Sequence, residues 1–222
     1  MASITLFMHV SLDVEKDNPL YNKGNLAKNS KRLAQYIQGI DAIRQYDDQF
    51  RANNVKIYLV DNTIPSDKPF PQQLLKHIPE WWTVLHSDNN QNGKYNKGAG
   101  LIDNWRKYSD VLKNSEWIIH YEPRLLLKDF SMFESILKNP RCLFTKGPNH
   151  RPPTSYDFNT GLMCISSKVL LEFIEEYPVL KPGISFEHTL SRWLCSVKNI
   201  QVDFYPKMGV IWFGANGHGV EV

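Results

Sequence analysis

Cysteine is scarce in this 222-residue chain. Cys142, Cys164 and Cys195 are odd in number and far apart, so they match no CxxC zinc pattern and cannot build a complete disulfide framework. A reducing compartment, and with it a cytoplasmic location, is the simplest expectation. Long apolar runs are missing too. The opening MASITLFMHVSLDVEKD has no charged leader and an apolar run of only about six residues, too short for a signal peptide or a membrane span. Charge of one sign does not dominate: 26 basic and 23 acidic side chains leave +3. That balance does not mark a nucleic-acid binder, and it suits a phosphate-bearing small molecule equally well. No repeat, low-complexity tract, Walker loop or dinucleotide fingerprint occurs.

What is there is an ordinary globular composition, 42% hydrophobic and 22% charged, in a chain long enough to bury a sizeable core. Strand-like and helix-like segments alternate. SITLFMHVSL reads as a first strand, VKIYLVDNT (55–63) as a second, WWTVLHSDNN as a third and WIIHYEPRLLL (117–127) as a fourth. Between them, residues 29–50 carry Leu33, Tyr36, Ile37, Ile40 and Ile43 at helical spacing. PQQLLKHI reads as a short helix, and the segment after NGKYNKGAG puts Ile102, Trp105, Tyr108 and Leu112 on one side of another. A helix over about 129–138 follows, then the strand FNTGLMCIS, the helices KVLLEFIEEY and SFEHTLSRWLCSV, and the short strand VDFYP. The pattern predicts an α/β domain over residues 1–222, with a mostly parallel central sheet flanked by helices.

Sheets of this kind bind ligands beyond the carboxyl ends of their strands. The rule selects His9, Val10 and Ser11 through Asp13, then Asp61 and Asn62, then Asp88 to Asn90, then His120 to Arg124. Asp61 at a strand end can accept hydrogen bonds from a ribose or base; it can equally seat an Asx turn in DNTIPSD. The NGKYNKGAG loop, with Lys94, Asn96 and Lys97 before a helix, reads as a phosphate cradle or as a plain surface loop. His120 and Glu122 project to one face of a strand. Such a pair can hold Mn²⁺ or Mg²⁺, or Glu122 can pair with Arg124. Trp81, Trp82, Trp193 and Trp212 read as core unless an exposed one stacks on a sugar.

The order of these pieces resembles the nucleotide-sugar-dependent glycosyltransferases of the GT-A type, including the compact domains of large algal viruses. The resemblance implies that Asp61 and Asn62 contact the nucleoside, with Lys94, Asn96 and Lys97 near phosphates or base. It sets HYE, with Tyr121 and Arg124 beside it, where the family has the metal-binding Asp-x-Asp. His120 departs from that motif by replacing a carboxylate. FNTG, with Asn159 and Gly161, matches the strand where donor and acceptor meet. Asp157 and Glu187 are the candidates for the catalytic base, and His218 near the end is a candidate metal ligand. Glu187 also suits a helix first turn after Ser185.

The implied function is metal-assisted, inverting transfer of a hexose or deoxyhexose from a UDP-sugar to a glycan or other hydroxyl acceptor. Residues up to about 127 would hold the donor and those from about 128 the acceptor. The location would be a host cytoplasm if the source is viral, and the chain could be one domain of a larger protein. A nucleotidyltransferase and a non-catalytic nucleotide- or sugar-binding module are the alternatives.

Overall fold

A computed structural model describes residues 2–15, 18–22, 28–87, 90–152, 155–213 and 219–221. Strand β1 (Ile4–Val10) is central, with all seven side chains buried. Alternation divides them: Ile4, Leu6, Met8 and Val10 enter one apolar cluster and Phe7 the other. A strand covered on both faces needs such a continuous apolar run. β1 pairs in parallel with β2 (Lys56–Asp61) and with β4 (Trp117–Tyr121), and β3 (Thr83–His86) extends the sheet beyond β2. On the far side come β6 (Leu143–Lys146), β7 (Phe158–Ser166) and β8 (Asp203–Phe204), in the overall order β3-β2-β1-β4-β7-β6-β8. Among these seven strands only β7 runs against its neighbours.

Helices cover both faces. On one, α2 (Asn29–Arg44), α3 (Asp47–Ala52) and α7 (Ser131–Lys138) supply Ile40, Ile43, Phe50, Phe133 and Ile136. On the other, α5 (Lys97–Lys107), α8 (Ser167–Glu176) and α9 (Phe186–Arg192) supply Ile102, Trp105, Phe173 and Leu190. Short helices α1 (Pro19–Asn22), α4 (Gln72–Leu75) and α6 (Ser109–Lys113) fill connections. Side-chain caps start three of the longer helices: Asn96 for α5, Ser166 for α8 and Ser185 for α9. None of the described helices is long and apolar enough to cross a membrane.

Three sequence expectations are corrected. The helix expected over 29–50 breaks at Gln45–Tyr46 into α2 and α3. The helix expected through SFEHTLSRWLCSV changes to a π-helical stretch at Trp193–Val197. WIIHYEPRLLL is two strands, because the Leu125 N–H closes a turn on the Glu122 carbonyl at 2.8 Å. Pro123, lacking an N–H, suits the second position of that turn. After it the chain leaves the main sheet, and β5 (Leu125–Leu127) joins β9 (Val210–Phe213) and β10 (Gly219–Glu221) in a second sheet. The C-terminal strands β9 and β10 were not expected from the sequence.

Helix α2 lies directly on this turn. A Cβ at Gly39 would sit 1.5 Å from the Pro123 carbonyl oxygen, so only glycine permits the backbone-to-backbone approach. β2 lies on one side of β1 and β4 on the other, which makes the carboxyl ends of β1 and β4 the switch point of the sheet.

Candidate active site

A cleft of about 250 Å³ opens at that switch point. Its floor is a chain of polar side chains that starts on β1. Asn104 Nδ2 on α5 donates to His9 Nδ1 at 2.5 Å, which leaves the ring proton on Nε2, 3.3 Å from Ser11 Oγ. Ser11 Oγ donates to Asn62 Oδ1 at 3.0 Å, and Asn62 Nδ2 donates to Asn90 Oδ1 at 3.1 Å. Burial, helped by the Arg32 charge, lowers the His9 pKa to about 3, so the imidazole is neutral.

One wall comes from α2. Asn29, at its start, accepts from the Val14 N–H and donates to Asp13, tying down the loop that leaves β1. One turn later Arg32, only 4% exposed, donates Nε to the Ser11 carbonyl at 2.7 Å and Nη2 to the Tyr36 hydroxyl at 3.1 Å. Its Nη1 is buried with no partner. Gln35 accepts from Arg124 Nε at 3.0 Å, which fixes a second guanidinium beside the first.

Glu122 stands where β4 has ended, its N–H held by the Gly161 carbonyl at 2.9 Å. Lys97 begins α5, and Glu187 lies in the first turn of α9, its Oε2 accepting from Ser185 Oγ at 2.8 Å. Thr160, Phe186 and the 52%-exposed Trp212 complete the rim. Three cations and two carboxylates thus share one small cleft. Burial pushes the Glu122 pKa up and Glu187 adds to the rise, against the pull of Arg124, Lys97 and Arg32. Burial likewise lowers the pKa of Lys97 and of Arg124.

Of the residues expected at the site, His9, Ser11, Asn62, Lys97, Glu122, Arg124 and Glu187 line this cleft. Others stand elsewhere, for physical reasons. Val10 is wholly buried in the core. Asp61, with no exposure, spends its carboxylate on the N–H groups of Leu12, Thr63 and Ile64 at 2.6–2.8 Å and on the Thr63 hydroxyl. It is the Asx-turn reading of that residue that the structure realises. Tyr121 is also fully buried, and its hydroxyl donates to the Leu125 carbonyl. Lys94 lines a shallower groove next door, with Asn62, Thr63 and Asn90.

The NGKYNKGAG loop is not an open cradle. Asn96 Oδ1 already accepts from the N–H groups of Gly98 and Ala99, while its Nδ2 reaches the carbonyls of Lys181 and Ile184. A Cβ on Gly100 would meet Gly93 Cα at 2.9 Å, so these glycines serve the packing of loop on helix. Asp157 accepts from the Asn149 N–H at 3.0 Å and steadies the 147–150 loop. Asn159 donates to the Lys146 carbonyl, and Gly161 holds Glu122 from behind.

His120 is corrected most. It has no exposure, its ring meets Trp105 edge-on at 5.5 Å, and neither ring nitrogen has a partner. Burial, with His9 nearby, lowers its pKa to about 3. It shares a strand face with Glu122 but lies under α5, whereas Glu122 emerges beyond the strand. Among the described residues no three His, Cys, Asp or Glu side chains gather to hold a metal. His218 and Asp88 lie outside the described residues.

Sequence reasoning missed Arg32, Tyr36 and Thr160 as cleft residues, and of the four tryptophans weighed as core or sugar platform it is Trp212 that is exposed at the cleft. Arg32 had a readable signal: it stands four residues before Tyr36, on the same helical face.

No protein-family model matches the chain, and no curated protein matches its sequence. Solved structures do. A protein assigned as a nucleotide-diphospho-sugar transferase from Desulfovibrio desulfuricans G20 is 9% identical, with TM-score 0.54 over 93% of this chain and 80% of its own. Mouse xyloside xylosyltransferase 1, in its apo form, is 12% identical, with TM-score 0.46 over 92% and 84%. Core-mannan synthase A of Aspergillus fumigatus, in an Mn/GDP form, is 11% identical, with TM-score 0.47 over 87% and 70%. The helix-flanked, mostly parallel sheet is the GT-A fold of nucleotide-sugar transferases. Likeness at this level of identity concerns the fold.

Proposed function

We propose that the protein is a glycosyltransferase that moves a hexose or deoxyhexose from a nucleoside diphosphate sugar, UDP-linked by preference, to an acceptor hydroxyl. The observation that carries this reading is the cleft at the switch point, where Arg32, Lys97 and Arg124 face Glu122 and Glu187. On a GT-A fold such a mixture suits a reaction that expels a diphosphate and removes a proton. Fold by itself does not settle function, so the weight rests on these five side chains.

The nucleoside would lie along the adjoining groove of Asn62, Asn90 and Lys94, with the diphosphate over the cations. The acceptor oxygen attacks the anomeric carbon, and the carbon–oxygen bond to the diphosphate breaks with its electron pair leaving on the phosphate. The acceptor proton passes to a carboxylate, for which Glu187 at the rim is the first candidate in an inverting transfer. Glu122, its pKa raised by burial, is the second. Asp157 is set aside, since its carboxylate braces the 147–150 loop. Trp212 offers an exposed ring at the cleft rim for stacking on an acceptor sugar. For Mn²⁺ or Mg²⁺, expected from the sequence, the cleft offers only Glu122 and Glu187 as described carboxylates, set among three cationic side chains, and no step above depends on an ion.

A thermal-shift panel of nucleotides and nucleotide sugars tests the donor class, with selective stabilisation by one base as the expected result. Donor turnover then tests the chemistry. Glu187→Gln should lower turnover by about 10²–10⁴-fold, the usual worth of a general base. Full activity in both Glu187→Gln and Glu122→Gln would sink the assignment.

A further inference from the structure

Arg32 is the least expected feature of the cleft. Buried guanidinium N–H groups seldom lack an acceptor in native structures, yet its Nη1 has none. The rest of the group is already fixed, by the Ser11 carbonyl and the Tyr36 hydroxyl. A guanidinium so held is prepared for a planar, two-pronged contact with a phosphate. Arg124 is steadied in the same way by Gln35, and Lys97 stands at the start of an eleven-residue helix.

The same cleft suits a divalent cation poorly. Mg²⁺ in phosphate sites needs only one or two carboxylates beside the substrate phosphates and waters, so the obstacle here is charge: three cationic side chains stand among the two described carboxylates, Glu122 and Glu187. His120, the sequence's other candidate ligand, is sealed against Trp105. A dication would meet net positive charge, whereas a diphosphate would balance it.

We infer that the donor diphosphate is neutralised by Arg32, Lys97 and Arg124, and that its binding requires no divalent cation. The inference rests on the nucleotide-sugar reading above, and it assigns to side chains the charge that an ion would otherwise carry. Glu122 then limits the positive field instead of ligating a metal.

Calorimetry on the intact chain tests this with UDP, GDP and inorganic pyrophosphate, each in EDTA and in Mn²⁺. Binding in EDTA within about twofold of that in Mn²⁺, weakened at least about tenfold by Arg32→Gln, is the expected result. Glu122→Gln, with folding checked by thermal melt, should leave pyrophosphate affinity unchanged or tighten it, where a lost metal ligand would weaken it. Binding only in Mn²⁺ overturns the inference and leaves the glycosyltransferase reading standing. Pyrophosphate binding in EDTA with no binding of either nucleotide keeps the three-cation site and sinks the nucleotide reading. No binding of any probe overturns both.

Discussion

Asp61, at the end of β2, and Arg32, on α2, are an acid and a base that both bond to the loop leaving β1, and both are almost fully buried. The protein treats them differently. Asp61 has its acceptor positions filled by three backbone N–H groups and a hydroxyl. Arg32 has a donor left over. A buried ion whose hydrogen bonds are complete belongs to the architecture. One left with a spare donor in a cleft is available to a ligand, as proposed above. The strand-end rule selects Asp61 for the site, and the completeness of its bonding removes it.

The sharpest way to break this contrast is to remove each charge in turn. Asp61→Ala strands the N–H groups of Leu12, Thr63 and Ile64, so unfolding free energy in urea should fall by about 3–5 kcal/mol. A loss below about 1 kcal/mol would show that the loop does not need its carboxylate. Gly39→Ala comes next. Its methyl group would strike the Pro123 carbonyl, and a cost of about 2–3 kcal/mol is expected, with weaker nucleotide binding from a displaced Glu122–Arg124 turn. Unchanged binding would mean that the turn relaxes without moving the cleft.

Arg32→Met should cost only about 1 kcal/mol in stability, since the bonds lost are two and one donor was already unmet. A loss matching that of Asp61→Ala would erase the distinction drawn between them.

Glu122 gives a subtler test through pH. Its folded pKa is raised, so the folded chain takes up this proton more readily than the unfolded one, and wild-type stability declines as pH rises through that value. Glu122→Gln should therefore be the more stable protein at pH 7. The difference should close as pH falls below the ordinary carboxylate value of 4.5. A variant less stable at pH 7 would show that pairing with Arg124 outweighs burial. Smallest of all, Trp212→Ala should shift stability by less than about 0.5 kcal/mol while raising the acceptor KM.

Much of the fold was legible because its signals are periodic. Alternation on β1 and the three-and-four spacing on α2 and α5 follow directly from side-chain geometry, and they suffice for a helix-flanked parallel sheet. The site was legible as a place more than as a set of residues. His9, Ser11, Asn62 and Glu122 line the cleft because strand ends gather polar groups. His120 and Tyr121 were misread because one or two residues along a strand separate the core from the cleft. Period-two alternation tells the face of a sheet but not the depth below its edge. Arg32 escaped because a helix read for its apolar stripe hides a guanidinium lying within that stripe. Pro123 pointed to irregularity, but the switch of WIIHYEPRLLL into a second sheet depends on β9, about 85 residues away and beyond any local pattern.

The contact between Gly39 and Pro123 has a consequence for what the cleft can accept. Arg32 belongs to α2, whereas Glu122 and Arg124 belong to the turn, and at Gly39 and Pro123 these two bodies meet main chain to main chain, with the Gln35–Arg124 bond beside that contact. Side chains cushion most interfaces by changing rotamer, but bare backbone does not. The gap between the two guanidinium groups is therefore gauged by the thickness of the polypeptide itself. If the cleft holds a diphosphate as proposed, a ligand of the wrong length would have to deform that contact, and anions would be sorted by span as well as by charge.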